Sequence, residues 1–485
     1  MESIMNINAA VNNFVWGPVM LALIVGVGIY FSVRLKFLQF AKFGAWNKMT
    51  LGRLFKGEKA AEGSVTPFQA FCTAMAATAG VGNLVGVTGA IILGGPGAMF
   101  WMFVAGVLGM ATKYVEIVLA IQFRKRNDKG EWVGGPMYYI TEGLGPKFKW
   151  LAIAFSIFGA LCAFGIGNMT QINAAVGTAE QMLVDLNIMS AAEAGGYSPF
   201  KVAYGFILAV CVGLVIVGGF KRIGNAAEIL VPFAGLFCII GSIVAICLKA
   251  EQIGPAFMLI INGAFSPQAL GGGILGYTII LAVRFGVARG VFTNEAGLGS
   301  APIAHAAADV DHPVKQGVWG CFEVFADTLV MCTLTAFVVL TSGVIFDPAT
   351  GLVTEGITVM DGKLIADASQ IVSAAYKASF GVAGSIFMAV CVLIFAYCTT
   401  LSWSLYGLRC FQFLTKGKGS ESYMLVFTLC VIVAAIMKLS FAWDIADTLN
   451  GLMAIPNLIA LIALSGVVFK LTKEFFSAKK LDAGK

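Results

Sequence analysis

The chain is 485 residues long, 59% hydrophobic and 12% charged, where soluble domains average roughly 45–50% apolar and about 25% charged residues. That composition excludes a soluble globular domain or a disordered chain and indicates an integral membrane protein. The net charge of +6 does not point to nucleic acid, because the lysines and arginines alternate along the loops in the pattern that sets membrane topology.

A bilayer core of roughly 30 Å takes about 20 apolar residues of helix to cross. On that measure eleven spans are predicted, at 14–33, 67–93, 97–123, 150–183, 200–220, 225–248, 272–295, 319–345, 380–412, 422–443 and 447–472. The first lacks a preceding basic region and a following small-residue cleavage pattern, so it is expected to be retained rather than removed as a signal peptide. The loop after it holds Arg34, Lys36, Lys42, Lys48, Arg53, Lys56 and Lys59, and the loop after the third holds Arg124, Lys125, Arg126 and Lys129. Lys221, Arg222, Lys315, Arg409, Lys416, Lys418 and the lysines from Lys470 to Lys480 fall on the same side if eleven spans are right, whereas Asp347, Glu355, Asp361 and Asp367 fall on the other. The amino terminus is therefore expected outside and the carboxyl terminus in the cytoplasm.

With the first span set aside, ten remain, and ten divide into two sets of five that enter the membrane from opposite sides. The second and seventh spans then hold equivalent positions in an inverted repeat, and both are expected to be interrupted. The second carries Gly80-Val81-Gly82-Asn83 about 13 residues beyond Pro67, roughly 20 Å along a helix and so near mid-membrane. The seventh contains "RFGVARGVFTNEAGLGSAP", dense in glycine and polar groups around Phe285, Gly286, Arg289, Gly290, Asn294 and Glu295. Unwound backbone at that depth is tolerated only where it lines a cavity or binds something. A half-helix restarting near Gly82 and Asn83 offers its positive end to an anion such as a carboxylate, and the carbonyls before it can hold a cation. The alternative is that the glycines merely let helices approach closely.

The eleven cysteines form no CxxC pair and lie almost entirely within apolar spans, which implies packing rather than disulfides or zinc. Lys113 and Glu116 stand three apart on one helix, a spacing at which they can pair, and Arg289 with Glu295 is expected to form a structural ion pair, with an inner gate as the alternative. Glu228, Arg284, Glu323 and Asp327 are expected to face the interior or a wet surface. His305 follows Ser300 by five residues, but no G-x-S-x-G elbow surrounds that serine. No G-x-x-x-x-G-K-[ST] loop provides for a nucleotide, and no repeated filter motif suggests a channel.

Several long stretches, in order, carry a family resemblance: "TAGVGNLVGVTGAI", "GAMFWMFVAGVLGMATKYVE", "WVGGPMYYI", "GNMTQINAA", "RGVFTNEAGLGSAPIAHAA" and "LSWSLYGLRC". Over nearly its whole length the chain resembles the alanine or glycine:cation symporters, which have the LeuT-type fold of amino-acid transporters. The resemblance implies an all-α integral membrane protein, one transporter domain over 1–485, in which an extra helix at 14–33 precedes five-helix repeats at 67–248 and 272–472. It implies sodium-coupled uptake of a small neutral amino acid such as alanine or glycine across a bacterial inner membrane, with proton coupling as the alternative. For the substrate it implies the turn Val81, Gly82 and Asn83 at the carboxylate, Gln171 on polar atoms, and Phe285 and Trp403 as pocket walls. For sodium it implies carbonyls of Ala76, Ala79 and Ala396 with the hydroxyls of Thr399 and Thr400. Read without the family, Phe285 and Trp403 are packed aromatics, Asn168 and Gln171 join helices, and the threonines bond back to their own helix. Two departures stand out: Val81 replaces a threonine common in this turn, and Phe103 replaces the second tryptophan of a frequent pair with Trp101.

Overall fold

Helix ends follow local chemistry. Thr66 Oγ1 accepts from the Gln69 amide at 3.0 Å while Gln69 Oε1 accepts from the Thr66 amide at 3.2 Å, a reciprocal cap ahead of Pro67. Pro18, Pro199 and Pro313 likewise open helices, where a missing N–H leaves nothing unsatisfied. A computed structural model describes residues 2–53, 60–190, 198–265, 279–348, 350, 352–354, 358–360, 363–365, 367–436 and 439–482. These residues are mostly helical, with two short antiparallel strand pairs, Lys125–Arg126 with Trp132–Val133 and Thr358–Met360 with Lys363–Ile365.

Helix α1 (Glu2–Val15) leads into α2 (Pro18–Arg34). Next come α3 (Pro67–Thr78), α4 (Val85–Gly94) and α5 (Ala98–Gln122). The fourth expected span is α6 (Lys149–Phe164), a wider π-helical turn over Gly165–Met169, and α7 (Thr170–Asp185). α8 (Pro199–Ile216), α9 (Gly219–Cys247) and α10 (Ile253–Phe265) follow, then α11 (Ile279–Asn294) and the short α12 (Ala301–His305). The eighth expected span is α13 (Pro313–Val324), a π-helical stretch over Phe325–Cys332, and α14 (Thr333–Thr341). The chain closes with α15 (Ala368–Phe380), α16 (Val382–Thr415), α17 (Ser420–Ile436), α18 (Leu439–Ala463) and α19 (Ser465–Asp482).

Among the described residues eight helical segments are long and apolar enough to cross a bilayer. The expected second span is not among them because it is cut into α3 and α4, of 12 and 10 residues. The described parts of the seventh and tenth, α11 and α17, run for 16 and 17 residues. Residues 272–278 and 437–438 of those two spans lie outside the described residues, as do Lys56, Lys59, Glu355 and Asp361. One boundary is corrected: the last expected span, 447–472, is two helices, with α18 ending at Ala463 and residues 465–472 belonging to α19.

The packing separates two groups of helices. α5 lies against α11 and α13 in one group, while α16 packs on α6 and α7, and α8 on α17, in the other. α3 touches both, at α13 in the first and α16 in the second, and packs along α9, while α2 lies outside against α5. The connections at 60–66, 123–135 and 306–312 meet at one end. There a seam of backbone bonds joins the start of α3 to the chain after α12: the Val65 amide donates to Ala307 O at 3.1 Å and the Asp309 amide to Val65 O at 2.8 Å. The Trp132 amide donates to Gly63 O at 3.1 Å, and Arg409 pairs with Glu131 at 2.9 Å.

Candidate functional site

Helix α3 stops at Thr78. Ala79 has ψ 82°, Gly80 is extended at φ −129° and ψ −160°, and a single 3-10 turn over Val81–Asn83 leads into α4. The whole stretch is buried, so its freed backbone groups need partners from elsewhere. The Val81 amide donates to Gln171 Oε1 at 3.1 Å, and the Gly80 amide to Asn83 Oδ1 at 3.0 Å. Asn83 Nδ2 in turn donates to Asp327 Oδ1 at 2.6 Å, in the π-helical stretch between α13 and α14. A side chain at Gly80 would put its Cβ 2.8 Å from Thr399 Oγ1 and 3.1 Å from Gln171 Oε1, so only glycine fits there.

Thr399 Oγ1, fully within α16, donates across to Ala76 O at 2.8 Å. Thr400 Oγ1 donates to Ala396 O at 2.8 Å, one turn back on its own helix. Carbonyl and hydroxyl oxygens from the end of α3 and the middle of α16 are thus adjacent, a donor set suited to a hard monovalent cation. One turn after Thr400, Trp403 lies so close to the π-helical turn that a Cβ on Gly167 would sit 2.0 Å from the Trp403 Cβ. Its indole Nε1 donates to Glu295 Oε1 at 3.1 Å.

The interruption of the seventh expected span lies at the end of the quoted stretch, not around Phe285 and Gly290, which are helical. α11 runs without a break to Asn294, and the turn that follows has positive φ at Glu295 (56°), Gly297 (90°) and Gly299 (85°). Glu116 Oε1 accepts from the amides of Gly297 and Gly299, both at 3.1 Å, and from Asn457 Nδ2 at 2.6 Å. Lys113 Nζ donates to Asn294 O at 2.7 Å and pairs with Glu323 at 3.1 Å.

The structure therefore brings together Ala76 with Thr399 and Val81 with Gln171, and sets Gly80 against both Thr399 and Gln171, whereas Thr400 bonds back to Ala396 of its own helix, as a threonine read without the family does. It does not bring Phe285 to them. Phe285 approaches Gly94, 12 residues past Gly82 and roughly 18 Å away along the helix direction. The aromatic beside Gly82 is Phe292, 3.6 Å from the position its Cβ would take, with Thr293 Cγ2 at 3.3 Å. Asn168 serves helix association, donating to Phe427 O at 2.8 Å. The expected pairs Lys113–Glu116 and Arg289–Glu295 are replaced: Lys113 pairs with Glu323, and Arg289 with Asp447 at 3.7 Å, because Glu116 and Glu295 turn their carboxylates to the broken backbone and to Trp403. His305 is held between Glu323 at 3.0 Å and Gln316 at 2.8 Å, while Ser300 bonds Glu295, so the two form no nucleophile and base. Asp327, Phe292 and Asn457 lie outside the site expected from the sequence, and Glu295 enters that reading only in the glycine-rich stretch and in its pair with Arg289; for Asp327 the signal is its cost in the membrane interior.

Two part-helices, backbone pinned by buried amides and acids, and oxygen atoms facing each other across α3 and α16 describe a transporter core. Residues 1–485 match the sodium:alanine symporter family. The chain belongs to that family. A relative from Methanococcus maripaludis named sodium/alanine symporter AgcS is 42% identical over 475 residues, covering 98% of this chain and 97% of its own. An uncharacterized transporter from Haemophilus influenzae is 41% identical over 482 residues, covering 99% and 98%. Bacillus subtilis has a relative named probable sodium/glutamine symporter GlnT, 36% identical over 476 residues, covering 98% and 91%. Among solved structures, MhsT in complex with L-phenylalanine superposes with a TM-score of 0.57 at 13% identity, covering 84% of this chain and 90% of that one. That likeness shows the LeuT-type fold. The symporter is thus a multi-pass protein of the plasma membrane, with the family and fold of membrane transporters rather than of enzymes.

Proposed function

We propose that this symporter couples sodium to the uptake of a small neutral amino acid, alanine or glycine, by alternating access about the break between α3 and α4. The observation that carries this reading is the contact of Thr399 Oγ1 with Ala76 O at 2.8 Å beside the amide turn at Gly80–Asn83. The proposed sodium ligands are the carbonyls of Ala76, Ala79 and Ala396 and the hydroxyls of Thr399 and Thr400. A cation there ties α16 to the last turn of α3 and holds the turn in the shape that receives the amino acid, so each ligand raises the other's affinity. The substrate's carboxylate meets the turn Val81–Asn83 with Gln171 beside it, and Trp403, with Phe292 taking the place expected for Phe285, limits the side chain to a small one.

The proposed architecture has eleven spans, with the amino terminus outside, the carboxyl terminus in the cytoplasm, and repeats at 67–248 and 272–472. Its support is a reciprocal relation between the halves. The second helix of each sends an acid to the broken first helix of the other, Asp327 to Asn83 and Glu116 to Gly297 and Gly299. Counterflow of labelled alanine in proteoliposomes, with sodium present or replaced by choline and with glycine, serine and D-alanine as competitors, tests the function. Uptake indifferent to sodium overturns it. Proton coupling is the second reading, favoured by the buried acids Glu116, Glu295, Glu323 and Asp327 against the lone buried lysine Lys113 among the described residues. Uptake driven by a pH gradient without sodium would establish it.

A further inference from the structure

The two breaks differ in what fills them. At the first, the amides of Gly80 and Val81 are met by the neutral oxygens of Asn83 and Gln171, and among the described residues no protein acceptor meets the buried amide of Gly82. At the second, residues of positive φ, Glu295, Gly297 and Gly299, alternate with residues of negative φ, Ala296 and Leu298. Such alternation turns successive amides toward one point and forms an anion-binding nest. Glu116 Oε1 sits in it, 3.1 Å from both glycine nitrogens, while the buried Oε2 of the same carboxylate has no hydrogen-bond partner. Three residues earlier on α5, the Lys113 ammonium donates to the carbonyl of Asn294 at 2.7 Å, at the negative end of α11, and on its other side pairs with Glu323 at 3.1 Å.

We propose that Lys113 and Glu116 act as a resident zwitterion, filling the second break as an amino acid fills the first. Ammonium goes to the carbonyl that ends the half-helix, and carboxylate goes to the amides beyond it. This makes Glu116 a positioning residue, since the turn it holds places the Glu295 carboxylate on the indole of Trp403. The inference rests on the reading that the first break receives the substrate's carboxylate.

The test is alanine uptake in proteoliposomes at constant sodium, comparing the wild type with Glu116→Ala and Glu116→Gln, in formate or in gluconate. Loss of a charged acceptor for two buried amides should lower uptake by Glu116→Ala about tenfold or more. Formate, small enough for the emptied nest, should restore it severalfold, and bulky gluconate should not. Glu116→Gln keeps an oxygen on the amides but no charge, so it should fall below the wild type and ignore formate. Equal uptake by Glu116→Ala in the two salts overturns the proposal, and so does wild-type uptake by Glu116→Gln, which preserves the packing if the alanine variant fails to fold. Gly80→Ala reports separately on the first break. If it leaves alanine binding to the purified protein unchanged, the reading of that break fails while the formate result still bears on Glu116.

Discussion

Thr399 is where the candidate cation site is most exposed to a single substitution. Thr399→Val keeps the shape but removes the hydroxyl that meets Ala76 O. A buried carbonyl left without its donor and a cation left without one ligand should raise the sodium concentration for half-maximal uptake about tenfold, some 1.4 kcal/mol. An unchanged sodium dependence would move the ion elsewhere. Thr400→Val should cost less, because its hydroxyl already bonds its own helix at Ala396. Trp403 is held from two sides, by its close approach to Gly167 and by Glu295. Trp403→Ala should therefore admit larger side chains, seen as stronger competition by leucine or methionine against labelled alanine. If bulkier amino acids compete no better than with the wild type, Trp403 does not bound the pocket.

At the scale of the helix, the π-helical stretch Phe325–Cys332 carries Asp327, which accepts from Asn83 Nδ2 at 2.6 Å and from Thr328 Oγ1 at 2.8 Å. Asp327→Leu leaves the buried amide of Asn83 without that acceptor, a loss of about 1–3 kcal/mol. It should weaken alanine binding roughly tenfold or more, measured by isothermal titration in detergent. Binding equal to the wild type would show that Asn83 holds its place without Asp327. The break at Gly80–Asn83 was legible in the sequence because glycine and a carboxamide together in mid-span have few uses other than an unwound turn. The second break was legible as a stretch but not as a position. Gly286 and Gly290 lie in the unbroken helix, where a Cβ on Gly286 would meet Ala98 O at 2.3 Å, so glycine there serves close packing while Gly297 and Gly299 serve the turn. Phe285 and Phe292 are seven residues apart and share a helix face, so periodicity alone does not choose between them. The π-helical segments had no compositional mark, and the partners of Lys113 and Arg289 depend on contacts hundreds of ångströms of extended chain apart, which local spacing does not encode.

For the whole molecule, the segment at Gly63 and Val65, the 123–135 connection and the end of α16 meet at one end of the structure, the end at which the alternation of basic loops expects the cytoplasm. A fluorescent-protein fusion at the carboxyl terminus should glow and an alkaline phosphatase fusion there should be inactive, since the one folds in the cytoplasm and the other outside it. The reverse result would remove a span from the proposed count. The seam between Val65 and the chain at Ala307 and Asp309 fastens the near ends of both interrupted helices with two backbone hydrogen bonds, and side chains reinforce it: the Asp309 carboxylate accepts from the Ala61 amide at 2.8 Å and Arg124 Nη1 donates to Ala306 O at 3.1 Å. The two backbone bonds need no particular side chain, only an N–H at Val65 and at Asp309, which proline lacks, whereas the Asp309 carboxylate adds a bond that a substitution there removes. The two broken helices thus share one latch at this end, and any inward opening that parts them must release it.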